Sequence, residues 1–531
     1  MKSSPTVAGE SLKPENRRPK PSGQFGNLAG LFLIFFVTTA PNAMRGFWYD
    51  ELFSYHMSQL PSTAAVWKAM MGGADFNPPL GYMITRAFQA VLGNGELATR
   101  LPEVLGYFVM SLCLYRFVTR HAESHFGYVA LLLPWCSGAY VLATEARPYG
   151  LMLAFAGLAL VCWQEAAERE RNRGGWFIAG FTLSLVAALL THCYAVLILV
   201  PFGLAEIVRQ YRARRFDWMM WAALIAPTAC VALYIPMMAN IKPYVFGNDF
   251  FRVHWTALPE AYQYFLSPAI WPIAAGALLL SIPRLAASPT APTQVRLHEW
   301  TVAGGFALLP AMAVILAKGM GSQFFPRYAA PGVLGLSLFF ALYIVWRGTP
   351  ARTTGWIAAA FLVCHLVGFG RWLYPLAVET PSAERASLET KERRQSPFEI
   401  RKDLPFVVAS GIRFFELDHY GSPQLQSRLY YLRDRDTALE YTQSDIFDTA
   451  FPKMKNWFPM HGHLAQYQQF VREHPRFLVF GNYHFPNDWL FKKLIDDGAA
   501  LSLITDGEST LGDLMLFEVN WKAPAGLVSG N

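Results

Sequence analysis

From residue 25 to residue 373 the chain keeps returning to one pattern, an apolar run of roughly 20 residues followed by a short polar or basic turn. As a helix, a run of that length crosses a hydrocarbon core of about 30 Å. Inside such a core the backbone N–H and C=O groups have only each other to bond, so helices or closed barrels are the available solutions. The runs lie near 25–44, 98–117, 125–142, 147–164, 176–190, 191–208, 218–238, 263–283, 300–318, 329–346 and 355–373, which makes about eleven spans. Composition agrees: 16% of the 531 residues are charged, against about 25% in an average soluble domain.

The formal net charge is +7, but the Lys and Arg residues sit between apolar runs rather than along one stripe. Membrane topology accounts for them, and no nucleic-acid partner is indicated. KPENRRPK precedes the first run, RFVTRH follows the second, ERERNRGG the fourth, RQYRARRFD the sixth and WRGTPARTTG the tenth. Every second loop is basic. The positive-inside rule then puts the tail, residues 1–24, in the cytoplasm, and an odd number of spans puts the C-terminal region outside. TTAPNA after the first run resembles a small-residue cleavage site, but the long, Pro-containing basic leader and the charge alternation favour a retained span. The six cysteines lie in or beside apolar runs, without a disulfide framework or zinc spacing, and read as packing residues.

The membrane region, residues 25–374, contains a long first outside loop at 45–97. In it TAAVWKAMM and LGYMITRAFQAVLG carry apolar residues at helical spacing and read as amphipathic helices on the membrane surface, separated by NPP at 77–79. Residues 375–400 are polar and charged and read as a linker. From 401 to 531, LPFVVA, RLYYL, RFLVF, ALSLI and LMLFEV read as short buried strands, with GHLAQYQQFVREH and WLFKKLIDDG as helices between them. The expected fold is an all-α polytopic membrane domain followed by a smaller soluble α/β domain. Neither GxGxxG after a strand nor GxxxxGK[ST] occurs there, so nucleotide binding is unsupported.

Charges near a bilayer cost several kcal/mol unless paired or hydrated, which makes them functional candidates. The informative ones fall at the outside ends of the expected spans: Asp50 and Glu51 after the first, Glu145 and Arg147 between the third and fourth, His192 between the fifth and sixth, Arg327 and Tyr328 opening the tenth. Each has a plainer reading. Asp50 and Glu51 can be a hydrated loop pair, Glu145 and Arg147 can pair with each other, Arg327 can snorkel, and His192 can be a packing residue. Together, acids and cations gathered at one face argue for a site. A transporter more typically places them at the midplane.

These residues resemble a family. WYDE (48–51), NPPLGY (77–82), EARPYGL (145–151) and RYAAP (327–331), in this order and topology, look like the GT-C membrane glycosyltransferases of the protein mannosyltransferase-like and aminoarabinose transferase-like group. Relatives often have HPPL where this chain has NPPL, so no His role at position 77 carries over. The resemblance implies transfer of a sugar from a polyprenyl-phosphate donor to an envelope acceptor (protein, lipid A or polysaccharide) on the outer face of a bacterial inner membrane. It also implies inversion, with Asp50 as general base and Glu51 beside it. Developing charge on a lipid-phosphate leaving group calls for cations, for which Arg147 and Arg327 are the candidates, with Glu145, Tyr328 and His192 lining the donor site. A carboxylate pair can hold Mg²⁺ or Mn²⁺, but adjacent residues need not point at one atom, and the expectation is a metal-independent site. A flippase for a lipid-linked saccharide would use the same cationic face without forming a bond, and an assembly or receptor protein would rely on the C-terminal domain instead.

Overall fold

The computed structural model describes residues 21–168, 174–245, 253–282, 294–391, 398, 400–482, 488–505 and 514–521. The tail before Pro21 and part of the expected linker lie outside the described residues.

Each apolar run of the sequence is helical. The bundle is built from α1 (Pro21–Ala43), α2 (Tyr49–Gln59), α3 (Thr63–Met71), α4 (Leu80–Leu92), α5 (Glu96–Thr119), α6 (Ser124–Leu132), α7 (Tyr149–Glu168), α8 (Gly175–Leu189), α9 (Leu199–Ala213), α10 (Trp218–Ile225), α11 (Ala229–Val245), α12 (Ala257–Leu266), α13 (Ile270–Ser281), α14 (Leu297–Ala307), α15 (Leu309–Met320), α16 (Gly332–Trp346) and α17 (Ala351–Lys391). Six spans among the described residues are long and apolar enough to cross a membrane, and α14 with α15 makes a seventh if that pair, bent by 46°, counts as one. The other runs are shorter or broken. Pro134 falls in the 3-10 turns that follow α6, and Pro268 separates α12 from α13. A proline removes a helical N–H and crowds the preceding turn, so these runs bend where sequence hydropathy alone counts them as continuous.

The bundle surface has the composition of a lipid-facing one: Trp176, Leu183, Trp271 and Val363 are exposed. Its interior is tight where α5 crosses α7. A Cβ on Gly106 would lie 2.6 Å from the carbonyl oxygen of Gly150, so only glycine lets these backbones approach. Among the described residues, the ends of the second and fourth runs, beside their basic loops, meet. Arg116, Arg120, His121, Glu165, Glu168 and Arg296 form one ion-paired cluster at the end of α5 and α7 remote from residues 45–50 and 145–147.

Two expectations for the segments that flank the spans change. The stretch WYDELFSYHMSQ is not a loop that follows a span; its core is α2, with Asp50 and Glu51 in the first turn, where acids complement the helix dipole. The beginning of the stretch read as a linker continues α17, so the connection starts as a helix up to Lys391.

The C-terminal domain is α/β, as expected. Its sheet is β1 (Phe406–Val408), β2 (Leu429–Arg433), β3 (His463–Gln466), β4 (Arg476–Gly481), β5 (Ala500–Thr505) and β6 (Met515–Asn520), in the order β3-β2-β1-β4-β6-β5. β1 is parallel to β2 and β4, and β2 to β3, while β6 is antiparallel to β4 and β5. Central strands such as FVV and FLVF are buried on both faces, which explains their unbroken apolar runs. HLAQ, read from sequence as the start of a helix, is β3; the helix begins at Tyr467.

This domain docks on the first outside loop through helix α18 (Gly411–Tyr420). Tyr49 donates its N–H to Glu416 Oε1 at 3.1 Å, and Phe47 donates its N–H to the Tyr420 hydroxyl at 2.6 Å. Tyr49 and Phe53 pack edge-on or tilted against Phe415, and Phe53 also meets Phe458. The aromatic residues around Asp50 are thus covered by protein.

Candidate functional site

The residues singled out at the span ends come together at one end of the bundle. Asp50, in the first turn of α2, pairs through Oδ2 with a terminal nitrogen of Arg327 at 2.8 Å. Both side chains keep about a fifth of their surface open, 22% and 23%. Arg327 sits in the 3-10 turn Pro326–Ala329 before α16. Its guanidinium lies 5.5 Å from the Trp48 ring centre and 5.1 Å from that of Phe325, and its Nε is buried without a hydrogen-bond partner. A cation held by aromatic faces and one carboxylate retains donors for another anion.

Glu51 points elsewhere. Successive helical residues are turned by about 100°, so neighbours on α2 serve different faces. Glu51 is fully buried and accepts from Arg100 Nε at 2.7 Å and from a second Arg100 nitrogen at 2.6 Å. It also accepts from the backbone N–H of Trp48 at 3.1 Å and of Ala146 at 2.7 Å, and from Arg45 at 3.3 Å. Arg100 gives its remaining donors to the carbonyls of Ala43, Arg45 and Gly46. This pair ties the end of α1, the start of α2 and the turn before α7 into one unit. Glu51, expected beside Asp50 in catalysis, has its oxygens committed to that scaffold.

Arg147 is held by a residue that sequence reasoning did not single out. Its two terminal nitrogens contact Asp75 at 2.8 and 3.3 Å, and one of them reaches the carbonyl oxygen of Asp50 at 3.1 Å. Tyr82, from NPPLGY, donates to Asp75 at 2.7 Å. Among the described residues no ion pair joins Arg147 to Glu145. Glu103, another buried acid on α5, accepts the N–H of Leu151 at 2.9 Å and so caps the start of α7. Arg100 and Glu103 did carry a signal, being ionisable residues within the expected second span.

Glu145 lies in the bend before α7, buried, with Oε2 unpartnered. Burial pushes its carboxyl from the ordinary 4.5 up to about 7, against the pull of Arg327, with Glu51 and Asp50 adding to the rise. A carboxyl whose folded pKa exceeds its unfolded value binds more protons when folded between the two. Its contribution to stability is therefore lost as pH rises from about 4.5 through about 7. Glu145→Gln removes that loss. Its melting temperature should move above the wild-type value as pH is raised from 5 to 8, and a constant difference across that range would contradict the assignment.

His192 is buried and accepts the Tyr194 N–H on Nδ1 at 3.2 Å, which leaves the proton of the neutral ring on Nε2. Burial, with Arg147 and Arg327 nearby, lowers it to about 3. Its ring lies 5.1 Å from Tyr149 and 6.2 Å from Tyr328, and Tyr328 stacks on Tyr194 at 4.8 Å. These rings form one wall beside Arg327. Asp50 and Glu51 do not converge on a point where one cation could sit. Among the described residues the group close enough to share an ion is His121, Glu168 and Glu299, at the far end, where Glu168 is already paired with Arg120 and Arg296.

An apolar cleft of about 550 Å³ runs into the membrane region between α12, α14 and α16, lined by residues such as Leu266, Leu308, Leu336 and Phe339.

Residues 77–239 match the family described as dolichyl-phosphate-mannose-protein mannosyltransferase, a segment that holds NPPLGY, EARPYGL and His192. Among curated proteins none matches the chain. The fold is similar to that of ArnT from Cupriavidus metallidurans in the apo state, at 12% identity over 94% of this chain and 98% of that one, with a TM-score of 0.53. The same protein bound to undecaprenyl phosphate gives 13% identity, 94% and 98% coverage and a TM-score of 0.52. Coverage of that extent takes in the C-terminal domain as well as the bundle. The chain thus sets a segment that matches the mannosyltransferase family within a fold similar to that of ArnT along nearly its whole length.

Proposed function

We propose that the protein transfers a sugar from a polyprenyl-phosphate donor to an envelope acceptor (protein, lipid A or polysaccharide) at the outer face of a bacterial inner membrane, with inversion at the anomeric carbon. The observation that carries this reading is the Asp50–Arg327 pair, about a fifth open at the end of the bundle, with an arginine nitrogen still unpartnered. The binding of undecaprenyl phosphate by the ArnT of similar fold supports a lipid-phosphate donor here. The apolar cleft suits its tail.

The chemistry follows from these groups. The acceptor hydroxyl gives its proton to Asp50 as its oxygen bonds to the anomeric carbon. The bond from that carbon to the phosphate oxygen breaks, and the lipid phosphate leaves with the electron pair. Arg327 stabilises the negative charge that develops on the phosphate, in a low-dielectric setting. Arrival of the phosphate offers Arg327 a second anion and loosens its hold on Asp50, which frees that carboxylate for the acceptor hydroxyl. Arg147, neutralised by Asp75, holds α2 in register through the Asp50 carbonyl. Glu145 accepts or donates a hydrogen bond to the bound sugar, while Tyr328 and His192 wall the site. The N-terminus is cytoplasmic and the C-terminal domain lies outside, in line with the basic loops of the far end.

The test is product analysis with a radiolabelled polyprenyl-phosphate sugar and envelope extract, using protein in proteoliposomes. Label should appear in a glycosidic product with inverted anomeric configuration. Intact labelled donor recovered on the opposite leaflet, with no product, would replace transfer by flipping.

A further inference from the structure

A cavity of about 490 Å³ opens between α2 and the C-terminal domain, away from the arginines of the candidate site. Tyr55 and His56 line it from α2, and Asp418, His419, Trp457 and His461 from the domain. Its size is in the range of small-molecule sites. We propose that this cavity binds a neutral saccharide segment of an extended acceptor glycan. This rests on the transferase reading and adds to it the class of acceptor.

The lining chemistry argues for hydroxyl groups rather than anions. Among the described residues that line the cavity none is Lys or Arg, so a phosphate or an acidic sugar would meet no lasting positive charge. The imidazole rings of His56 and His419 lie 5.4 Å apart. Burial, then the repulsion of His419 and His461, lowers His56 to about 3; burial likewise lowers His419, with Glu96 opposing and His461 assisting. A neutral imidazole offers one donor and one acceptor, as a sugar hydroxyl does. Tyr55 and Trp457 add ring surface against which the apolar face of a pyranose can lie. Asp418 fixes the rim: its Oδ1 accepts the N–H groups of His461 at 2.9 Å and Gly462 at 2.6 Å. That leaves the partly exposed His461 ring at the mouth.

Position supplies the length of the ligand. His56 is six residues from Asp50 on the same helix, about 9 Å along its axis and turned onto another flank. A saccharide seated in the cavity reaches Asp50 only if it continues round α2. A chain of several sugars fits this requirement and a single sugar does not.

The experiment is saturation-transfer NMR on the full chain in nanodiscs. The probes are neutral oligomers, two to six units long, of mannose, glucose, galactose and N-acetylhexosamines, alongside inorganic phosphate and oligogalacturonate. At least one neutral oligomer should bind, better with length. His461→Ala, at an exposed position, should weaken that binding by about tenfold or more, as should Trp457→Ala, with partial recovery in Trp457→Phe. Absence of binding by every neutral oligomer, or affinity unaltered by His461→Ala, would overturn the proposal, as would a preference for phosphate or oligogalacturonate. Saccharide binding without transfer by the wild type would sink the transferase reading and leave the cavity standing as a saccharide site. Transfer with an unchanged acceptor KM in both cavity variants would do the reverse.

Discussion

Asp50→Asn should lower sugar transfer by about 10²- to 10⁴-fold, the range that a positioned general base contributes, while the protein inserts and melts like the wild type. The amide keeps an oxygen for Arg327 at the same place, so the α2 start and the 3-10 turn before α16 retain their contact. It cannot take the acceptor proton. Donor binding should change little or improve, because Arg327 is no longer engaged by a full negative charge. The measurement is initial transfer rate from a labelled polyprenyl-phosphate sugar, paired with donor KM and a thermal melt. Turnover near the wild-type value would remove Asp50 from the mechanism. A collapse of the melt instead of the rate would make it a structural acid. Arg327→Lys is the informative companion: it keeps a charge but loses the planar fork, and should raise donor KM more than it changes the melt.

Much of this arrangement was legible in the sequence because membrane insertion makes both apolar length and charge expensive to misplace. Each apolar run marked helix, and the loop charges sorted into two ends as the Arg116–Glu165 and Asp50–Arg327 pairs now do. Strands β1, β2, β4, β5 and β6 were visible as short, mostly apolar runs. Other features depend on partners remote in sequence. Nothing within FWYDELFSYH says that its aromatic side chains face Phe415 and Phe458 rather than lipid headgroups. Asp75 was overlooked because it stands in a polar turn, where an acid costs nothing, and its role depends on Arg147, 72 residues away. HLAQ is too short and too polar to declare itself a strand; it pairs at the edge beside β2. The divergent roles of Asp50 and Glu51 required knowing that both lie in a helix, where adjacent residues cannot share a target.

That divergence leads to the largest expected effect on folding. Glu51→Ala should leave Arg100 buried and charged amid the carbonyls of Ala43, Arg45 and Gly46 with no counter-ion in contact. Removal of one member of a buried, hydrogen-bonded pair typically costs about 3–5 kcal/mol, because the survivor has lost both water and partner. Two backbone N–H groups, of Trp48 and Ala146, would lose their acceptor as well. The damage would spread to α2 and to the turn before α7, so Asp50 and Glu145 would shift together and transfer would vanish as a consequence of disorder. Arg100→Ala should act similarly, and Glu51→Gln less severely, since an amide oxygen still accepts from one nitrogen. Detergent-solubilised melts and membrane yield measure this, and Asp50→Asn is the control. A Glu51→Ala protein that melts like the wild type yet transfers no sugar would return Glu51 to the chemistry. A double variant, Glu51→Leu with Arg100→Met, separates charge from scaffold. If burial of the unpaired charge dominates, it should recover a large part of the melt lost in either single variant. If the fan of hydrogen bonds to α1, α2 and Ala146 dominates, it should recover little, and that second outcome is expected because neither replacement can bond any of those backbone groups.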